Sequence, residues 1–293
     1  IEFINRELVK LTREAADGRA LIAGDLSMTG LQLAPIGYTP FEELVNIYKE
    51  QISYILMEGV DLFVIETMMS LNECRAALLA VKESCDLPVM VTLTFNEDNR
   101  TLYGTDPKTA IIVMQSMGAD AVGINCSTGP DKMLDIVQEM AKYANVPLIV
   151  KPNAGIPKLI NGETVYDMKP REFAEGVLSL INLGASIVGG CCGTTPEHLK
   201  ELYNLLVEKK IVGENADYTN FYKMKLLEND GVKKGVRCVT TERKTLEIDI
   251  DKKFIIIGER INPTGKKLLQ EELRNGCMDI VVEMAESQVE CGA

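Results

Sequence analysis

The sequence contains no cluster of Lys and Arg residues, no signal peptide and no apolar run near the roughly 18–20 residues that span a membrane. Its net charge is −12, which disfavours nucleic acid and anionic membranes as partners. Its eight cysteines are unevenly spaced over 293 residues, unlike the framework of a small secreted disulfide protein. We therefore expect a cytoplasmic protein whose cysteines serve metal binding or thiol chemistry.

Short apolar runs alternate with amphipathic segments through the first two thirds of the chain. The intervening segments carry apolar residues at i, i+3 and i+4, which predicts helices. One of these helices is predicted to begin at a capping box formed by Ser70 and Glu73. Repeated strand–helix units predict a parallel α/β sheet, either open or closed into a barrel. The predicted strands are residues 20–26, 61–67, 88–95, 119–125, 147–153 and 186–191.

Three segments depart from this rhythm. Asn161-Gly162 lies between short alternating stretches in residues 158–168, which is typical of a two-residue hairpin. We expect this loop to be elaborated and able to fold over the mouth of the sheet. Residues 210–252 are polar and mixed in pattern, which predicts a linker with some local structure. The stretch "KFIIIGERINPTG", from residue 253, predicts the strand and loop of a new strand–loop–helix unit.

Three cysteines follow two of the predicted strands. Cys126 comes after the fourth strand, while Cys191 ends the sixth and Cys192 follows it. Ligands of parallel α/β folds bind at the carboxyl ends of the strands. Three thiolates would hold Zn²⁺ and leave the fourth tetrahedral position open for substrate. Buried small residues and a strained vicinal disulfide are the alternatives, and the shared strand-end position favours the metal.

The other cysteines and the single histidine carry weaker signals. The remaining five cysteines lie on helices, near helix ends or in the linker, which indicates packing or surface roles. His198 lies in the first turn of a predicted helix, without a second histidine that could share a metal. We expect His198 to be structural.

Two motifs resemble the zinc signature of the homocysteine S-methyltransferase family. They are "GINCSTGP" (residues 123–130) and "GGCCGTTPEHL" (residues 189–199), and "VIET" and "KPNAG" fit the same pattern. The resemblance covers about residues 1–210. It implies a TIM-type barrel in which Cys126, Cys191 and Cys192 bind zinc and homocysteine is the substrate.

The same resemblance suggests residues for the amino acid end of homocysteine. Glu66 is the candidate for its ammonium group, and Asn153 for a hydrogen bond to the substrate or to the zinc ligands. A salt bridge inside the barrel mouth is the structural alternative for Glu66, and a turn role is the alternative for Asn153. Asp25 and Ser27 are weaker candidates at the end of the first strand.

A second resemblance begins near residue 253. "IIIGERINPTG" is similar to the opening of the pterin-binding methyltransferase barrel, in which Asn262 matches a residue near the folate. The order of the two modules resembles the N-terminal half of cobalamin-dependent methionine synthases. That likeness implies 5-methyltetrahydrofolate as methyl source and methylcobalamin as carrier, bound by a cobalamin-binding module that this sequence does not contain.

The sequence also departs from the family pattern. The family barrel has eight strands, whereas six precede the linker, and no glycine-rich D-G-x-x-G-T segment is found. We therefore expect an α/β, parallel (β/α)8 TIM-type barrel lacking about its first two strands in residues 1–209. A linker (210–252) and the first βα unit of a second barrel (253–293) would follow. On this view the sequence is a fragment that is inactive alone.

Two other functions stay open at this point. One is a stand-alone homocysteine methyltransferase that takes its methyl group from a sulfonium compound or a betaine. The "GERINPTG" stretch argues against it. The other is a non-catalytic zinc protein, for which a fourth cysteine at a strand end would be expected.

Overall fold

The computed structural model describes residues 1–160, 162–213, 237–249 and 254–293. Contacts divide the chain into two units, Ile1–Lys234 with Thr240–Thr245, and Gly235–Val239 with Leu246–Ala293. The first unit contains a parallel sheet and nearly all of the buried apolar side chains. In the described part of the chain, no helix is long and apolar enough to cross a membrane.

A six-stranded parallel sheet forms the centre of the first unit. Its strands are β1 (Ala23–Leu26), β2 (Leu62–Met68), β3 (Val89–Leu93), β4 (Ala121–Asn125), β5 (Leu148–Lys151) and β8 (Ala185–Val188), and they lie in that order. All six predicted strands are therefore confirmed. The architecture is consistent with part of a TIM-type barrel. Completion by two further strands stays a prediction.

Helices connect the strands as the periodicity predicted. They are α1 (Glu2–Ala16), α2 (Phe41–Glu58), α3 (Leu71–Ser84), α4 (Pro107–Ser116), α5 (Leu134–Ala141), α6 (Pro170–Asn182) and α7 (Pro196–Glu208). Glycines follow α2, α4 and α6 with φ values of 72° (Gly59), 90° (Gly118) and 115° (Gly184). This left-handed conformation ends a helix at little cost only for glycine, so these residues fix where each following strand can begin.

The start of α3 forms only half of the predicted capping box. Ser70 Oγ accepts a hydrogen bond from Glu73 N at 3.3 Å, as a helix cap should. The Glu73 carboxylate, however, turns away from Ser70 and accepts from Thr29 N and Oγ1, both at 2.7 Å, and from Tyr48 Oη at 3.0 Å. Glu73 is buried, and the hydrogen bonds that its carboxylate accepts connect the loop after β1 to α3.

The two faces of the sheet differ in polarity. The helix-facing side is apolar and fully buried, with side chains such as Phe63, Ile65 and Val150 in the main core. Alternate residues point to the other face, because successive side chains of a strand alternate. That second face carries charged residues near the carboxyl ends of its strands, namely Asp25, Glu66 and Lys151.

The predicted hairpin also forms. β6 (Lys158–Ile160) pairs antiparallel with β7 (Glu163–Val165), and Gly162 has a φ of 85° in the turn. Asn161, the other predicted turn residue, lies outside the described residues. The hairpin interrupts the connection between β5 and α6, so it is an insertion at the carboxyl edge of the sheet.

The region after α7 differs in part from prediction. Residues 214–236, within the predicted linker, lie outside the described residues. The later part of the linker forms a hairpin of β9 (Arg237–Thr240) and β10 (Thr245–Ile248).

The strand predicted from residue 253 was wrong for the residues that the structure describes. Residues 254–263 form no strand, and α8 (Lys267–Arg274) and α9 (Asp279–Glu290) follow. Phe254 and Ile257 are strongly exposed. A strand of this apolar type is stable when neighbouring strands pair with it on both sides, and the described residues provide no such neighbours here.

Candidate metal and substrate site

The three predicted thiols meet at the carboxyl edge of the sheet. The Sγ atoms of Cys126, Cys191 and Cys192 all lie within 4.8 Å of one another, and those of Cys126 and Cys192 are 3.8 Å apart. Cys126 follows β4 and the cysteine pair follows β8, with β5 between them. Cα atoms of β2 and β4, and of β3 and β5, lie within 8 Å, closer than the roughly 10 Å of two strand spacings in a flat sheet, so the sheet curves and brings these strand ends together.

The backbone at Cys126 adopts a conformation that is uncommon outside glycine. Cys126 and Ser127 have φ values of 63° and 65°. Two hydrogen bonds hold this turn, from Cys126 N to Lys151 O at 3.1 Å and from Thr128 N to Cys126 O at 2.8 Å. Consecutive left-handed residues are costly and persist where the surroundings hold them. Here they direct the Cys126 thiol towards the end of β8.

The loop of Cys191 and Cys192 is bonded to the segment after β5. Cys191 N donates to Pro152 O at 2.8 Å, Cys192 N donates to Asn153 Oδ1 at 3.1 Å, and Ala154 N donates to Cys192 O at 2.9 Å. Both cysteines are free thiols, so the vicinal disulfide considered from the sequence is not formed. Residues 152–154 ("PNA") therefore position both thiols through these hydrogen bonds.

The thiols strongly influence each other's ionisation. A hydrogen bond from Cys191, assisted by the backbone N–H of Ser127 and opposed by burial, lowers the pKa of Cys126 to about 7. The same hydrogen bond, together with burial and the charge on Cys126, raises the pKa of Cys191. The first proton of this cluster therefore leaves more easily than the second.

The donor set fits zinc. Three thiolates bound at about 2.3 Å to a tetrahedral Zn²⁺ would lie about 3.8 Å apart, which matches the separation of Cys126 and Cys192. In the described part of the chain, these cysteines form the group of His, Cys and acidic side chains that are close enough to share a metal. Their partial exposure leaves one side open to a small ligand.

Glu66, the predicted ammonium ligand, lies at the end of β2 and forms an ion pair with Lys151 Nζ at the end of β5. Both side chains are partly exposed, at 28% and 19%. The structural alternative considered for Glu66, a salt bridge in the mouth, is therefore present. Both side chains are accessible, so the pair can exchange its partners. Lys151 was missed by sequence analysis, although it begins the "KPNAG" stretch at a strand end.

Asn153, the other predicted substrate residue, is almost fully buried. Its Oδ1 accepts the bond from Cys192 N, and its own N–H donates to Thr128 O at 3.0 Å. Asn153 thus contacts the backbone on both sides of the thiol cluster. A direct contact with substrate stays a prediction.

Asn125 connects three strand ends in a way that the sequence did not reveal. Its Oδ1 accepts from Thr67 N at 2.9 Å, its Nδ2 donates to Thr67 Oγ1 at 2.8 Å, and Nδ2 lies 3.7 Å from Cys191 Sγ. Thr67 has a φ of 58°, so the buried amide also holds a left-handed turn next to Glu66. In the sequence, only the position of Asn125 directly before Cys126 indicated that it could belong to the site.

Tyr166 also joins the site, directly after the hairpin. A Cβ added to Gly193 would lie 2.2 Å from Tyr166 Cγ, so the ring packs on the glycine backbone beside Cys192. Burial and then a hydrogen bond with Cys192 raise the pKa of Tyr166. Only the hairpin prediction pointed to this region.

The weaker candidates near β1 lie close to Glu66. Ser27 Oγ donates to Glu66 O at 3.0 Å, so Ser27 contacts the backbone and not the carboxylate. Asp25 remains accessible to solvent. Desolvation by surrounding protein, increased by the charge of Glu66 and opposed by Lys151, raises the pKa of Asp25 to about 6. The charges of Asp25, Glu66 and Lys151 therefore interact at one rim.

His198 has the structural role that the sequence indicated. Its Nδ1 lies 2.9 Å from Thr195 Oγ1 and accepts from Thr195 N at 3.2 Å, while Nε2 lies 2.9 Å from Met168 O. Because Nε2 faces a carbonyl oxygen, it must carry the proton. The ring therefore caps α7 and connects it by a hydrogen bond to the segment before α6.

Asn262 lies in the second unit, where its Oδ1 accepts from Thr264 N at 2.9 Å and forms a local turn. Its predicted contact with folate stays a prediction.

Known proteins resemble this chain in sequence and in fold. Residues 1–206 match the sequence model of the family described as homocysteine S-methyltransferase. The methionine synthases of Mycobacterium leprae (strain TN) and Mycobacterium tuberculosis (strain ATCC 25618 / H37Rv) are 29% and 27% identical over 290 and 283 residues. Both matches cover 94% of this chain and 22% of the relative, so the chain spans about a fifth of the length of these relatives.

Solved structures show the same fold. The Escherichia coli homocysteine methyltransferase MmuM, in its metallated form, aligns with a TM-score of 0.58 at 20% identity over 70% of each chain. Its apo form aligns with a TM-score of 0.57, also at 20% identity, over 69% of this chain and 72% of that one.

Proposed function

Because the chain belongs to the homocysteine S-methyltransferase family through residues 1–206, we propose that it transfers a methyl group to the thiol of L-homocysteine, which yields methionine. The observation that carries this proposal is the convergence of Cys126, Cys191 and Cys192, whose sulfurs lie within 4.8 Å at the carboxyl edge of the sheet. Ligands of this class of fold bind at that edge.

In this proposal the three cysteines hold one Zn²⁺ and leave a position open for the substrate sulfur. When bound, zinc supplies a positive charge that favours the thiolate form of that sulfur. Free homocysteine is mostly protonated at neutral pH, since a thiol pKa is about 8.5. Three thiolates would carry more negative charge than the metal neutralises, which would leave a substrate sulfur held there electron-rich and nucleophilic.

The chain's other residues orient the reactants. Asn153 holds the backbone of Cys192, and Asn125 lies against Cys191, so both support the thiols from behind. Glu66 is proposed to bind the substrate ammonium, because its carboxylate is accessible and adjoins Thr67, which Asn125 links to the thiols.

The methyl donor is proposed from the relatives. Similarity to methionine synthases covers 94% of the chain, well beyond residue 206. We infer a homocysteine domain in residues 1–209, with about two further strands completing its barrel, a linker in 210–252 and the start of a pterin domain in 253–293. Methyl groups would then come from 5-methyltetrahydrofolate through methylcobalamin, with Asn262 near the folate.

Two alternatives predict different behaviour. A homocysteine methyltransferase that uses a sulfonium compound or a betaine would form methionine from those donors and not from methylcobalamin. A non-catalytic zinc protein would hold the metal and ignore homocysteine.

Two measurements test the proposal on the intact protein. Zinc content should be about one equivalent in the wild type and in Cys85→Ser, a control outside the cluster, and should be lost in Cys126→Ser, Cys191→Ser and Cys192→Ser. Homocysteine added to the zinc form in weak buffer near pH 7 should release about one proton, because its thiol ionises on binding. Zinc retained after loss of any of the three cysteines, or tight homocysteine binding without proton release, contradicts the proposal.

A further inference from the structure

Three charged side chains lie on one face of the sheet near the thiol cluster. Asp25 on β1 pairs in register with Val64 on β2, and Glu66 is two residues beyond Val64, so Asp25 and Glu66 share a face. The ion pair places Lys151, the last residue of β5, on this face as well. The opposite face is packed against helices. The charges therefore lie on the face that is turned away from the helices.

The ion pair between Lys151 and Glu66 spans two intervening strands. β2 and β5 are separated by β3 and β4, which corresponds to about 14 Å in a flat sheet. Cα atoms of β2 and β4, and of β3 and β5, lie within 8 Å of each other, so the sheet is curved, and the contact between Lys151 Nζ and Glu66 Oε2 identifies this face as its concave side. The two side chains meet across a concave surface, where a small molecule would be surrounded by both.

The charged cluster and the thiol cluster are immediate neighbours. Lys151 O accepts the bond from Cys126 N at 3.1 Å. On the other side, Thr67 follows Glu66 directly and is bonded to Asn125, whose Nδ2 lies 3.7 Å from Cys191 Sγ. A ligand with a thiol at one end and charged groups at the other would meet both clusters.

The signs of the charges match an α-amino acid. Two carboxylates, Asp25 and Glu66, suit an ammonium group, and the Lys151 ammonium suits a carboxylate. A ligand that carried only an ammonium group would have to compete with Lys151 for the Glu66 carboxylate. A zwitterion instead exchanges one ion pair within the protein for two pairs with the ligand.

We propose that Lys151 binds the α-carboxylate of homocysteine, while Glu66 and Asp25 receive its ammonium group. This assignment rests on the proposed function and deepens it, because it makes Lys151 the residue that selects a carboxylate-bearing thiol. A Lys151 that served only to neutralise Glu66 would give no such selectivity.

The test compares two thiols that differ in one group. L-Homocysteine carries the carboxylate, and 3-aminopropane-1-thiol lacks it but keeps the ammonium. Dissociation constants are measured by calorimetry with the intact, zinc-loaded protein. Lys151→Met should weaken homocysteine binding by about 10- to 100-fold, as expected for a lost charge-assisted hydrogen bond, and should change aminothiol binding by less than about 3-fold.

Two further variants control for folding and charge. Lys151→Arg keeps the positive charge and should retain a preference for homocysteine. Lys82→Met removes another partly exposed lysine that forms an ion pair. Lys82 Nζ lies 3.0 Å from Asp120 Oδ2, just before β4 at the amino end of the sheet. This variant should leave both dissociation constants unchanged.

The outcomes separate this inference from the proposed function. Equal weakening of both thiols by Lys151→Met, or no weakening of either, overturns the carboxylate assignment to Lys151. If the wild type binds zinc and releases a proton with homocysteine in either case, the proposed function survives. A wild type that does neither refutes the proposed function itself.

Discussion

The amide nitrogen of Asn125 lies 3.7 Å from the sulfur of Cys191, so one buried side chain connects the end of β4 with the thiol that follows β8. The same amide makes two hydrogen bonds to Thr67 at the end of β2. The thiols and the candidate substrate residues are therefore held by one set of contacts.

Replacing this amide should affect both stability and metal binding. Asn125→Ala leaves the N–H of Thr67 without its partner, which should lower the free energy of unfolding by about 1–3 kcal/mol. Zinc affinity should fall by about 10- to 100-fold, the usual effect of losing a contact that orients a metal ligand. Urea unfolding and competition with a chelator measure the two effects.

Asn204→Ala is the matched control for this substitution, because Asn204 is exposed on α7. It should change neither property by a measurable amount. Unchanged zinc affinity in a folded Asn125→Ala protein would contradict the role assigned to Asn125.

Two glycines allow the contribution of Tyr166 to be tested. Gly193 and Gly162 have φ values of 76° and 85°, so alanine strains the backbone at either position by about 1 kcal/mol. Only at Gly193 would the new Cβ strike Tyr166, whereas nothing lies within 4 Å at Gly162. Gly193→Ala should therefore displace the ring beside Cys192 and reduce zinc affinity.

Gly162→Ala should lose a similar amount of stability from backbone strain and keep its zinc affinity. Affinity for zinc is compared by chelator competition in the two folded variants. Equal zinc affinities would show that the packing of Tyr166 on Gly193 does not support the metal ligands.

Much of the first unit follows from local patterns in the sequence. Apolar runs predicted the strands, and glycines with positive φ, such as Gly59, end the helices that precede them. The strand-end rule then placed Cys126 near Cys191, because parallel strands share a carboxyl edge. These features depend on neighbours in sequence or on one general property of parallel sheets.

What the sequence did not reveal depends on contacts between distant segments. The pairing of Lys151 with Glu66 requires the curvature of the sheet, and the position of Tyr166 requires the path of the hairpin. The capping-box motif located the start of α3 correctly, yet Glu73 found better donors in the loop after β1. The strand predicted from residue 253 depended on partner strands, which an apolar run alone does not specify.

Asp25 should make stability depend on pH. Its pKa is raised to about 6 in the folded protein, mainly by desolvation and then by Glu66, so the folded state holds this proton more tightly than the unfolded state. Stability from this group is present below about pH 4 and is lost as pH rises through about 6. Asp25→Asn should remove that loss and raise stability at pH 7 by up to about 1 kcal/mol, a small value because solvent screens the accessible carboxyl.

Urea unfolding of the wild type and the variant from pH 4 to pH 7 measures this difference. Asp86→Asn, an exposed change of the same charge, controls for the effect of net charge. Parallel pH profiles for the wild type and Asp25→Asn would contradict the prediction.

His198 should be needed for folding stability and not for metal binding. It is buried, its Nδ1 accepts from Thr195 N at the start of α7, and its Nε2 contacts Met168 O. It also packs edge-on against Phe173, with ring centroids 5.5 Å apart. His198→Ala removes these contacts and leaves Met168 O and Thr195 N without partners, so the free energy of unfolding should fall by about 2–4 kcal/mol.

The three thiols do not depend on the ring, and the folded variant should still bind about one equivalent of zinc. Lys200→Ala is the control, because Lys200 is exposed on the same helix, and it should change neither stability nor zinc content. A folded His198→Ala protein that has lost its zinc would instead assign the imidazole to the metal site.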